Sequence, residues 1–379
     1  MTNLMRSAWL AGGSMLLFSV VHINGGQTKN PPGASYKVLA PATQDNLTIF
    51  PVVTEVTVDA RDFLTLDEGL RSGQVVVTEE GGSGGLIRPR PPRTGPPPIW
   101  EEHPFPRSGP VRGAEVNRLV LTNNSDRPLI LLAGEIVTGG KQDRVVGRDR
   151  IVPAKGDPID LDVFCVEPHR WIETSARFGG LGFAMAQPSV RLKAMAEKDQ
   201  QAVWNEVAKS RASVAEAVPP PSARAIQATS SYAMTMDNAA VKERVNAVAG
   251  PLERSYEHLM RELRAQKAVG AVVAVNGQIV WADVFASASL LEKYWPKLVR
   301  SYAAEAVAER GPRVKPASEP SIRDAQIFLD DFSARRESVE SEPGVYRNTE
   351  LIGPDFDAFI LTALLPGTGF NVHIAKMRQ

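Results

Sequence analysis

The sequence predicts an α+β protein: a largely antiparallel β-sheet from the N-terminal half, packed with C-terminal helices and followed by a β-rich tail. Three observations predict it. Runs rich in β-branched residues with short connections fill the first half, as in Leu47 to Val58 (LTIFPVVTEVTV). Apolar residues three and four apart dominate from Gln187 to Ala308. Strand-like runs return from Val345 to Phe370–Ala375.

Taken in order, the chain opens on an export-like segment. Arg6 is a short positive region, and Ala8 to Val21 (AWLAGGSMLLFSVV) is an apolar run too short to span a membrane comfortably. Cleavage near Gly26 is expected, giving a periplasmic or secreted protein with no membrane attachment. The alternatives are an uncleaved N-terminal anchor and a buried N-terminal strand or helix of the fold. Residues 27–35 are a linker. In Leu47 to Val58, Pro51 cannot donate to a ladder, which implies an edge or a bulge. Leu64 to Arg71 predicts a short helix stopped at Gly73. Residues 81–112 combine a glycine hinge with dense proline and arginine; they form a disordered insertion, a surface on which a protein partner could dock.

Strands follow at Val116–Thr122, Leu129–Ala133, Arg144–Val152 and Pro158–Val166. The stripe Val203, Val207, Val214, Val218 predicts a helix closed by Pro219-Pro220-Pro221. A longer one runs from Val241 to Leu263 and should kink or split at Pro251. Asn276-Gly277 between two apolar runs predicts a type I′ hairpin, and Trp295 to Ala306 another helix. The expected organisation is a signal peptide over 1–26, a main domain over 36–310, a linker over 311–320 and a β-rich extension over 321–379.

Composition excludes some functions. The 43 basic and 43 acidic residues balance, so nothing suggests nucleic-acid binding. One cysteine leaves no internal disulfide. The five histidines have no ligand spacing, so neither a metal nor another cofactor is expected.

Chemistry concentrates between Leu129 and Trp171. Gly139-Gly140-Lys141-Gln142 is not a P-loop, because Gly134 is out of register and Gln142 replaces the magnesium-binding hydroxyl. Adjacent glycine amides beside Lys141 and Arg144 could instead form an anion-binding nest. Cys165 is in phase with Ile159, Leu161 and Val163, the apolar face, although Glu167, His169 and Arg170 could activate a thiolate. Arg170 offers a planar fork and Trp171 a stacking face. The leading expectation is a polar cleft for a small anionic or polar ligand, bound by Lys141, Gln142, Arg144, Arg170 and Trp171. The alternatives are a hydrolase, with Glu135 or Glu167 as acid/base or Cys165 as nucleophile, and a structural envelope module whose polar residues pair with one another.

The succession Leu64-Thr65-Leu66-Asp67-Glu68, Ala133-Gly134-Glu135, Gly140-Lys141-Gln142-Asp143-Arg144-Val145 and Cys165-Val166-Glu167-Pro168-His169-Arg170-Trp171 resembles the ARG and rhodanese-phosphatase superfamily-associated protein domain, over roughly Leu47 to Ala308. That family's pattern reads G-E-x-x-x-G-A-K-Q-N-R and C-V-E-x-x-R-W. Here Gly140 replaces the alanine and Asp143 the asparagine, and the latter adds a negative charge beside Lys141 and Arg144. The resemblance implies no established activity. The association in its name points to ADP-ribose-like or phosphate-containing ligands by analogy alone.

Overall fold

The computed structural model describes residues 17–21, 35–56, 58–60, 62–79, 118–168, 175, 177–263, 266–310 and 319–379. The proline-rich insertion, His169, Arg170, Trp171 and most of the export-like segment lie outside them.

The chain begins with β1 (Leu17–Val21), β2 (Lys37–Val38), β3 (Ala42–Gln44) and β4 (Leu47–Thr54). Pro51 fits inside β4 because β2 and β3 pair with separate parts of that strand. The Pro51 carbonyl accepts from the Leu39 amide in the gap between them, so the missing N–H falls where no ladder bond is required. After β5 (Leu64–Thr65), a Thr65–Glu68 capping box starts α1 (Leu66–Ser72), and Gly73 ends it in the left-handed region.

Next come β6 (Val75–Glu79), β7 (Arg118–Asn123), β8 (Leu129–Leu131) and β9 (Glu135–Thr138). They are followed by β10 (Arg144–Val146), β11 (Arg150–Val152), β12 (Ile159–Cys165) and β13 (Gly179–Met185). The single strand expected over Arg144–Val152 is thus two, broken at Gly147-Arg148-Asp149. A Cβ on Gly147 would lie 2.8 Å from the Phe164 ring. The break moves the chain from one sheet to another.

The helical stretch contains α2 (Pro188–Leu192), a π-helical turn (Lys193–Glu197) and α3 (Gln200–Glu216). Then come α4 (Pro220–Gln227), α5 (Tyr232–Asp237) and α6 (Ala239–Glu262). Pro220 opens a helix as well as following one, since proline suits the first helical position. Pro251 does not split α6, whose Val248, Ala249, Leu252 and Tyr256 share one core on both sides of it.

Asn276 and Gly277, both at positive φ, turn β14 (Lys267–Val275) into β15 (Gln278–Phe285). The last elements are α7 (Ala288–Ala308), α8 (Ile322–Asp330), β16 (Arg336–Glu342), β17 (Tyr346–Ile352), β18 (Phe356–Ala363) and β19 (Asn371–Arg378).

Ten strands form one sheet in the order β1-β16-β17-β18-β19-β15-β14-β4-β2, with β3 also on β4. The residues read as a C-terminal extension therefore continue the sheet of β4, β14 and β15. Successive side chains of β14 alternate between two cores. Ala271, Val273 and Val275 face α6 and α7, whereas Val272 and Ala274 face α8. A six-stranded sheet (β13-β9-β10-β12-β7-β6) and a three-stranded one (β11-β8-β5) enclose a third core. The opposite face of β9, β10 and β12 packs on α2, α3 and α5.

Candidate functional site

The motif residues divide into two groups. In the first, the turn between β9 and β10 folds onto its own carboxylates. The Gly139 amide donates to Asp143 Oδ1 (3.1 Å) and the Lys141 amide to Glu79 Oε1 (2.9 Å). The Asp143 amide donates to Glu167 Oε2 (3.4 Å), and the Ser231 hydroxyl to Asp143 Oδ2 (3.3 Å). The anion in this glycine turn is internal, and Asp143 supplies it. Arg144 is buried, with Nη2 3.9 Å from Glu79 and Nη1 3.4 Å from Gln142 Oε1. Cys165 stands opposite Arg144 in the β10–β12 ladder, and its backbone N–H and C=O are both bound by the Gln200 side chain. Burial pushes the Cys165 thiol up to about 11, against the opposing pull of Arg144.

Gln142, Arg144, Cys165 and Glu167 thus come together as buried neighbours, with Lys141 half-buried at their edge. Glu135 has other partners. Its Oε1 lies 2.5 Å from Lys297 Nζ, which also reaches Asp67 (2.7 Å), and its Oε2 accepts from the Leu132 amide (2.8 Å). Burial pushes Lys297 down, but Glu135 and Asp67 outweigh it and hold the ammonium charged.

The second group is a buried relay that sequence reasoning missed. Asp149 accepts the Ala133 amide at Oδ1 (2.8 Å) and meets His373 Nδ1 at Oδ2 (2.5 Å). His373 Nε2 lies 3.1 Å from Asp283, and Asp283 takes two bonds of 2.9 Å from Arg191. The Tyr302 hydroxyl donates to Asp283 (2.5 Å), and the Arg191 guanidinium lies 4.3 Å from the Trp281 ring centre. Burial pushes His373 down, yet Asp149 and Asp283 together raise it to about 9. Burial likewise raises Asp283, while Arg191 and His373 bring it well below the usual carboxylate range. The relay is a neutral alternation of two carboxylates and two cations, as buried charges require.

Ala133-Gly134-Glu135 connects these networks: Ala133 holds Asp149, and Glu135 holds Lys297. Between them Gly134, at φ +94, leaves room for Arg191; a Cβ there would sit 2.6 Å from Arg191 Cγ. The signal in the sequence was the charged residue inside an apolar strand, at Asp283 in IVWADVF and at His373 in NVHIAKM. Neither strand names its partner.

Asp149 also lines a cavity of about 450 Å³. One wall is β12 with the Gly147–Asp149 break, another the π-helical turn, and the third β16 to β18. Phe164, Met195 and Phe359 make it apolar. At its margin Arg148 pairs with both Asp162 and Glu340, and Lys198 Nζ meets Glu350 at 2.7 Å. Lys141, Arg144 and Glu167 are not among its lining residues.

No curated protein and no solved structure matches the chain. One family profile does, over residues 35–375, from before β2 to within β19 and thus beyond the stretch that carries the motifs. The chain belongs to the ARG and Rhodanese-Phosphatase-superfamily-associated Protein domain family (ARPP-1).

Proposed function

We propose that this protein binds a small molecule non-covalently in the cavity bounded by β12, the π-helical turn and β16–β18. The observation that carries the reading is a cavity of about 450 Å³ with an apolar lining that includes Asp149, the outer member of the buried relay. An apolar concavity of this size with a few fixed polar groups is the usual form of a ligand site. A relay locked by six hydrogen bonds keeps that wall rigid, which lowers the ordering cost of binding. The protonated state of the buried Cys165 thiol argues against a cysteine hydrolase. The internal pairing of Gln142, Asp143, Arg144 and Glu167 favours a structural role for the motif cluster over an anion cleft.

Export remains part of the reading, on the N-terminal residues alone, and cleavage near Gly26 would take β1 off β16 and leave that strand as the edge of the sheet. The test therefore uses protein recovered from the periplasm of an exporting bacterial host, its N-terminus read by mass and expected near Gly26. A fragment library is screened by thermal shift against wild type and Ser338→Trp, which fills the cavity from β16, where the half-buried Ser338 side chain faces Glu350 across the lining. Fragments should stabilise wild type and lose that effect in a variant that melts as wild type does. Shifts that survive in Ser338→Trp, or a library with no hit on wild type, would remove the cavity as the site.

A further inference from the structure

We infer that the ligand of this cavity is a monocationic amine carrying an apolar or aromatic body, an assignment that rests on the cavity being the binding site. The argument is a charge count along the lining. Lys198 is matched by Glu350, which also accepts from the Ser338 hydroxyl (3.3 Å). Asp149 is matched from behind by His373, at 2.5 Å. Arg148 alone serves two carboxylates, Asp162 and Glu340, one on each side of the cavity. Among the described lining residues one negative charge is therefore left over, held where β12 faces β16.

Each class of ligand meets this wall differently. An anion would be repelled by Asp162 and Glu340, and would have to draw Arg148 away from both. A neutral molecule would leave the excess charge where it is. A protonated amine supplies the missing counter-charge, in a setting where the apolar lining weakens competition from water. Phe164 and Phe359 add aromatic faces, whose negative quadrupole favours a cation and disfavours an anion. Met195 offers apolar contact for the remainder of the ligand.

Phenethylamine, phenethyl alcohol and hydrocinnamate share a body of similar size and differ in charge, so they separate the charge assignment from the cavity. Binding is measured by calorimetry on the full chain, on Glu340→Gln and on Ser338→Trp. The amine should bind roughly tenfold tighter than the alcohol, with hydrocinnamate weakest. Glu340→Gln should weaken the amine several-fold and leave the alcohol unchanged, a pattern that loss of folding would not produce. If alcohol or hydrocinnamate equals the amine and all are lost in Ser338→Trp, the cavity stands and the amine assignment falls. Amine binding that persists in Ser338→Trp overturns both, and failure of all three probes on wild type overturns the assignment.

Discussion

Gly134 illustrates what the motif residues do individually. Its backbone closes a turn at positive φ, and its missing side chain is the space through which Arg191 reaches Asp283. Gly134→Ala would strain the turn and displace Arg191, leaving Asp283 as a buried, poorly compensated carboxylate. The expected loss is about 3 kcal/mol or more in urea unfolding, with a smaller effect for the open turn glycine in Gly344→Ala. A loss below about 1 kcal/mol would mean that Arg191 has another route.

Among the elements, the relay joins β19, β15, α2 and the β10–β11 break, and this makes their packing pH-dependent. His373 has a folded pKa of about 9, above its ordinary 6.5. Its contribution is therefore fully present below about pH 6.5 and is lost as the pH rises through about 9, by up to about 3 kcal/mol in total. Lys376 acts in the opposite direction. Burial holds it down to about 8 from 10.5, so its burden on the fold is relieved as the pH climbs between those values. The clean window is pH 6.5 to 8, where stability in urea should fall for wild type and stay nearly flat for Asp149→Asn.

Elements were legible where a local rule acts on neighbouring residues. The Asn276-Gly277 turn, the stop at Gly73 and the phase of Cys165 on β12 are of this kind. α8 was missed although Ser321 and Asp324 spell a capping box, and β16 was missed because RESVESE is half-exposed and polar. The partners in the buried networks were beyond reach. Asp149 and His373 are separated by 224 residues, and Glu135 and Lys297 by 162. No periodicity relates residues so far apart, so Glu135 and Arg144 read as one cleft although they serve different networks.

The whole molecule is governed by one sheet that uses both ends of the chain. β19 pairs with β18 on one side and β15 on the other, so the last strand is internal. Truncation after Arg310 would remove His373 from the relay and expose the edge of β15. The shortened chain is expected to show no cooperative melting transition by calorimetry. A sharp transition would instead establish residues 36–310 as a self-sufficient domain.

The internal position of β19 also sets an order of events for a chain made from its N-terminus. The central sheet cannot close before β19 has emerged from the ribosome, because that interior strand is made after both of its neighbours. Pairings of such long sequence separation are slow even afterwards. Until β19 emerges, Asp149, Asp283 and Arg191 wait without His373, and the relay that ties the sheets to α2 is incomplete.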